Sequence, residues 1–310
     1  MLRRVAIVVL CLSSACSSDD DAGSKQPGSG GSSADGGGSG SSTGGTGTGG
    51  IDSGADAGSE AATGGSAGAA GSSCTLPPGS TSGSRVHVVY LVPSDKQTDA
   101  LYVATLDKTI RDLQLWYRDH MDDATTFQVN DPVVQVVPTA HASSWYATNP
   151  TGGAANLVFW DNVLTDGFAA TGGKFDDPQG IWLYYVDADS QCGQLAGSGT
   201  SGVAVLPAND LRGLTGKQNV PPCPADPPDN QPRCRWVGGL GHELGHAFGL
   251  PHPPGCDAGD PSCDNQALMW LGYTSYPTTF LRPDEQQILA GNGFFSTHTL
   301  PACTLDCTTP

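Results

Sequence analysis

The chain is poor in positive charge. Only 14 of its 310 residues are Lys or Arg, against 31 Asp or Glu. Residues 74–310 hold 11 of the basic and 24 of the acidic residues, a net charge of −13. A nucleic-acid partner is excluded on this ground, because binding a phosphate backbone needs a basic field. Residues 17–73 contain no aromatic residue and consist almost wholly of Gly, Ser, Ala, Thr and Asp. Nothing in them repays the entropy of ordering, so they are expected to form a flexible tether. Only one proline, Pro27, and no three-residue period occur there, which excludes a collagen-like segment. Nowhere does the chain contain Cys-x-x-Cys, the spacing favoured by a structural zinc held on four cysteines.

The first sixteen residues, MLRRVAIVVLCLSSAC, place Arg3 and Arg4 before an apolar run too short to span a bilayer. This is the pattern of a secretory signal. Its end resembles a bacterial lipoprotein signal, with small residues immediately before Cys16. Ser13 stands where an aliphatic residue is usual, and Leu12 lies one place further out. That resemblance implies a lipid on Cys16 and a protein held at the cell surface or outer membrane; the alternative is ordinary cleavage and full secretion. Of ten cysteines, eight remain beyond Cys11 and Cys16. An even number behind a secretory signal predicts four disulfides. Proximity along the chain suggests Cys223–Cys234, Cys256–Cys263 and Cys303–Cys307, leaving Cys74–Cys192.

The folded part is expected over 74–310. RVHVVYLV (85–92) reads as a first strand. Leu106, Ile110, Leu113 and Tyr117 recur at helical spacing, predicting a long helix over 98–120, capped by Thr98 and favoured in its first turn by Asp99. Strands are predicted in 125–139, 180–189 and 202–210, the last ended by Pro207. Residues 156–164 fit either strand or helix. A helix is expected over 234–248 despite its four glycines, each costing roughly 1 kcal/mol relative to Ala. Something other than propensity must specify those glycines, such as close packing or a metal. A last helix begins near Arg282–Pro283 and stops at Gly291. The order of elements indicates an α+β fold built on a mixed α/β sheet. A monomer is expected.

HELGHAFGLPH (242–252) gathers three of the seven histidines. His242 and His246, four apart on a helix, share one face about 6 Å apart along the axis. Glu243 stands beside the first of them, able to take a proton from a metal-activated water. Gly249 can take a positive φ and turn the chain back. His252 then supplies a third nitrogen from outside the helix. Three protein ligands with one position open is the catalytic pattern of zinc. The spacing H-E-x-x-H-x-x-G-x-x-H fixes five identities, with a chance occurrence on the order of one in ten thousand at equal residue frequencies.

HELGHAFGLPH, together with ALMWLGY (267–273), resembles the metzincin clan of zinc endopeptidases. The resemblance implies one Zn2+ on His242, His246 and His252, with Glu243 as general base and Gly249 as the turn glycine. It implies that Met269 lies on a tight turn beneath the zinc without ligating it. It also implies a clan layout over roughly 85–295, ending in a small C-terminal part, with an edge strand near 202–206 that pairs with an extended protein or peptide substrate. Leu271 departs from the tyrosine that astacin-like and serralysin-like members carry two residues after the Met; Tyr273 and Tyr276 lie nearby. No cysteine-switch prodomain is recognisable. Asp257, Asp260 and Asp264 could bind Ca2+, although they match no EF-hand loop, and solvated loop acids are the better reading. The alternatives to a peptidase are a non-catalytic surface lipoprotein that binds protein or glycan, and a zinc hydrolase acting on something other than peptide.

Overall fold

The computed structural model describes residues 77–217, 220–223, 231–298, 300 and 307. The expected signal with Cys16, the tether, Cys74 and Cys303 lie outside the described residues. The first strand, β1 (Arg85–Val92), matches its sequence expectation, and the helix α1 (Ala100–His120) follows it. The cap of α1 is Asp99 rather than Thr98: its carboxylate accepts the Leu101 N–H at 2.8 Å. A carboxylate at that position also meets the positive end of the helix dipole, which a hydroxyl does not.

The 125–139 region forms two strands, β2 (Thr125–Phe127) and β3 (Val129–Pro138). After the short α2 (Ser143–Thr148), the ambiguous 156–164 stretch becomes helical, as α3 (Val158–Thr171). Gly172 ends α3 in the left-handed conformation, with φ 76°. Then come β4 (Gly180–Val186), β5 (Ser198–Thr200) and β6 (Val203–Leu206). The chain turns at Pro207 into α4 (Ala208–Leu214) and later enters α5 (Arg233–Ala247). The last elements are α6 (Pro283–Gly291) and β7 (Phe295–Thr297).

Five strands form one sheet in the order β3-β1-β4-β6-β5. β1 pairs parallel with β3 and β4, and β4 pairs parallel with β6. Only β5 runs antiparallel, at the edge. The expectation of an edge strand at 202–206 is therefore corrected: β6 is internal, and the edge is β5. Ser198–Thr200 carries no apolar alternation, so nothing in its sequence announces a strand. A separate antiparallel pair joins β2 to β7.

Parallel strands covered on both faces read as continuous apolar runs, and the side-chain alternation shows which residue serves which face. Val86, Val88 and Tyr90 of β1 join Ile181, Leu183 and Tyr185 of β4 in a core with α1 and α5. Val89 and Leu91 join Trp182, Tyr184 and Val186 in a second core under α3. The first core fixes α5, the helix that carries the histidine motif. Tyr117 of α1, fully buried, donates its hydroxyl to the Gly241 carbonyl at 3.0 Å, one residue before His242. Gly213 of α4 lies so close to the indole of Trp236 that a Cβ there would overlap the ring.

Three disulfides join described residues: Cys192–Cys223, Cys234–Cys307 and Cys256–Cys263. Only Cys256–Cys263 follows proximity along the chain. The expected Cys223–Cys234, Cys303–Cys307 and Cys74–Cys192 pairs are overturned. Proximity was a poor guide because loop-closure entropy grows slowly: stretching a loop from ten to seventy residues costs only about 2 kcal/mol, which packing easily outweighs. Cys234 faces the core at the start of α5, where the C-terminal segment reaches it. Replacing both Cys234 and Cys307 by Ala should lower the unfolding free energy by about 2–4 kcal/mol, read from urea titration of the full chain.

Candidate metal centre

His242 and His246 lie one turn apart on α5, with ring centroids 4.7 Å apart. The helix ends where the sequence expects it to turn. Gly249 has φ 97°, and no atom lies within 4 Å of where its Cβ would stand, so backbone conformation alone demands glycine there. The Gly249 and Leu250 amides close back onto the His246 and Gly245 carbonyls at 3.0 and 2.9 Å. The return brings His252 Nε2 to 3.1 Å from His246 Nε2, which is itself 3.1 Å from His242 Nε2. The ligand atoms of all three lie within 4.8 Å of one another.

The other ring nitrogens decide what these three Nε2 atoms are. His242 Nδ1 lies 2.8 Å from the Leu268 carbonyl, and His246 Nδ1 lies 2.8 Å from the Leu250 carbonyl. His252 Nδ1 lies 2.7 Å from Asp257 Oδ1. Carbonyl oxygens only accept, so the first two Nδ1 atoms carry their protons and donate; a carboxyl group on the third Nδ1 favours the same tautomer. In the neutral form, each ring with its proton on Nδ1 turns a lone pair inward. Three lone pairs at such separations repel one another unless a cation lies between them. Two nitrogens each ~2.1 Å from a tetrahedral zinc are about 3.4 Å apart, close to the spacing here. The donor set therefore fits a single divalent ion of the zinc kind.

Burial reinforces this state. It pushes the His242 imidazole well below its usual range, aided by the neighbouring His246. Burial also lowers His246 to about 4. Both rings are neutral at pH 7, the form a metal ligand needs. Glu243 is buried as well; desolvation first, and then the charge of Asp210, raise its carboxyl to about 8, while Arg235 and the Gly199 amide act the other way. That amide belongs to β5, so the edge strand runs beside Glu243.

Met269 is fully buried under α5. A Cβ on Gly245 would overlap its sulfur, a Cβ on Gly238 would overlap the Tyr273 carbonyl, and a Cβ on Gly241 would come within 3.0 Å of Leu113 Cδ2. Close packing thus specifies Gly238 and Gly245, while Gly241 sits in tight contact. The residue before Met269 supplies the carbonyl that holds His242, so the methionine turn acts through its backbone as well as its side chain. Leu271 is exposed and Tyr276 is buried in the core, while the Tyr273 ring lies 5.4 Å from that of His242.

Sequence reasoning missed Trp270, whose ring stands 5.0 Å from His252, and Arg235, which is buried over the rings of Trp236 and Tyr273. It also took Asp257 for a solvated or calcium-binding acid. Asp257 pairs with His252, Asp260 accepts from the Ser262 amide at 2.8 Å and Asp264 from the Gln266 amide at 3.4 Å, and among the described residues the three acids form no group placed to hold a calcium ion. Among the described residues the one group placed to hold a metal is the three histidines.

A mixed α/β fold with a three-histidine metal centre is the class these observations define. No family model and no curated protein matches the chain. Two crystal forms of wild-type OgpA from Akkermansia muciniphila are similar in structure, at 18% and 19% identity and TM-scores of 0.43 and 0.45. They cover 69% and 71% of this chain and 62% and 63% of that one. Metalloproteinase-II from Bacteroides fragilis matches at 14% identity and a TM-score of 0.34, over 70% of this chain and 56% of that one. The chain spans less than two thirds of the length of each.

The glycine at 245 offers a test of sign. Helix propensity alone predicts that Gly245→Ala stabilises the protein by about 1 kcal/mol. Overlap with Met269 predicts the reverse, a loss of about 1–3 kcal/mol. Chemical denaturation of the full chain should show the loss; a gain would mean that Met269 does not fill the space against the helix.

Proposed function

We propose that this protein is a zinc-dependent endopeptidase of metzincin type, with His242, His246 and His252 as ligands and Glu243 as general base. The observation that carries the reading is the inward convergence of three bare imidazole nitrogens on the turn and helix that also hold a buried carboxylate beside the sheet edge. A zinc ion bound there supplies a Lewis acid, polarising the scissile carbonyl and acidifying a water. Glu243 accepts the proton of the attacking water and returns it to the leaving amine. The edge strand β5, whose outer side has no partner strand among the described residues, pairs with an extended peptide and aligns it past Glu243. Tyr273, against the first ligand, is the candidate hydroxyl donor to the oxyanion. Met269 packs the floor.

The disulfides argue for an oxidising compartment outside the cytosol. No helix among the described residues is long and apolar enough to cross a membrane. A lipid on Cys16 and a Gly/Ser tether would hold the enzyme at a bacterial surface facing protein or peptide substrate; without the lipid it would be secreted.

The test is cleavage of a peptide library by the full chain, with and without a chelator, beside the Glu243→Ala variant. The variant should keep its zinc by elemental analysis and lose at least about 10²-fold in turnover. Chelation should abolish cleavage, and added zinc should restore it. Undiminished cleavage by Glu243→Ala would remove the proposed mechanism. Zinc-loaded protein without any turnover would favour a binding role.

A further inference from the structure

The three ligands are not held alike. His242 and His246 sit on a 15-residue helix, and backbone carbonyls back their Nδ1 atoms. His252 belongs to no helix or strand; it lies in the run Pro251-His252-Pro253-Pro254, just past the turn at Gly249. Its ring is oriented from one side by Trp270 and by the 2.7 Å hydrogen bond from Nδ1 to Asp257 Oδ1.

Asp257 is the only side-chain acceptor among the three, and it is itself more than half exposed. What fixes it is the loop that carries it. Cys256, next in sequence, is buried and bonded to Cys263, closing a separation of 7 residues. The loop inside is a succession of turns. The Asp260 amide donates to the Gly255 carbonyl at 2.9 Å, the Gly259 amide to Cys256 at 2.9 Å and the Cys263 amide to Asp260 at 2.9 Å. Gly255 and Gly259 take positive φ. No helix or strand runs through this segment, and the disulfide ties Cys256, the neighbour of Asp257, to its far end.

We propose that Asp257 is the positioning residue of the third metal ligand, and that the Cys256–Cys263 bridge holds it there, so that metal retention depends on this loop as well as on the three histidines. The proposal rests on the reading that those histidines bind zinc. Its physical basis is general. A carboxylate on the far nitrogen of a ligating imidazole fixes the tautomer and ring orientation and raises the donor strength of the near nitrogen; losing such a partner typically costs 10–100-fold in metal affinity.

The experiment measures zinc affinity of the full chain by competition with a chromophoric chelator, and the visible bands of the cobalt-substituted protein. Asp257→Ala should weaken zinc binding by about 10–100-fold and shift the cobalt bands, with far-UV circular dichroism unchanged. Asp257→Asn should recover part of that loss, because its amide oxygen still accepts the Nδ1 proton. Asp260→Ala, in the same loop but bonded only within it, should stay within about twofold of the parent. Replacing Cys256 and Cys263 together by Ser should weaken zinc, and adding Asp257→Ala to that pair should cost less than it does in the parent.

If Asp257→Ala binds zinc as the parent does, or Asp260→Ala loses as much, the positioning role is wrong. If Asp257→Ala costs as much without the disulfide as with it, the role of the bridge is wrong. A parent that takes up no zinc would overturn the three-histidine reading itself. A parent that binds zinc beside an equally competent Asp257→Ala overturns this proposal alone.

Discussion

The centre depends on where three imidazole protons go. Each Nδ1 faces an oxygen outside the ring, so in the neutral imidazoles the proton sits there and each Nε2 is left to face the other two as an electron-pair donor. The acceptors come from three segments: Leu268 on the methionine turn, Leu250 on the return from α5, and Asp257 on the disulfide loop. A helix can bring two histidines to one face, but it cannot choose their tautomers. That choice is made by the segments that close over the helix. The post-helical turn, the methionine turn and the small disulfide loop thus serve one electrostatic end, although in sequence they look like three unrelated irregular stretches.

The glycines of α5 follow from the same need. To place the Leu268 carbonyl within 2.8 Å of His242, the segment bearing Met269 and Tyr273 must approach the helix closely. Side chains at Gly238 and Gly245 would hold it off. The propensity lost, roughly 1 kcal/mol per glycine, is offset by burying Met269, Leu268 and Leu244 in the first core. Tyr117 adds a direct tether from α1 to the backbone just before the first ligand. The large core and the small site are therefore one packing problem, solved along a single helix.

Much of this was legible in the sequence wherever local pattern determines structure. β1 fell on its run of valines, α1 on its helical spacing, and the histidine motif predicted both the helix and the left-handed Gly249. What was not legible depended on contacts distant in sequence. β5 has only Ser198, Gly199 and Thr200 and exists because β6 and α5 lie beside it. Cys234 meets Cys307 across 73 residues because the fold brings them together. Asp257 looks like any loop acid until His252 is seen to face it. The ambiguity at 156–164 had a different origin: continuous apolar character fits a buried strand or a buried helix equally, and only the length through Thr171 decides for helix.

The buried carboxylate gives the last step. Desolvation and Asp210 hold Glu243 up at about 8, well above the usual carboxyl range. A nearby positive charge favours the ionised form and lowers the pKa of a carboxyl. Glu243 adjoins His242 in the chain, so on the proposed reading a cation on the histidines would move it toward the ionised form that a general base needs. By reciprocity, the ionised carboxylate strengthens binding of the ion. The burial that disfavours the charge on Glu243 also lowers the local dielectric, where each remaining electrostatic interaction is stronger. On the proposed reading, metal occupancy and basicity would thus be two aspects of one equilibrium, and a segment that weakens the hold on His252 would reach Glu243 without touching it.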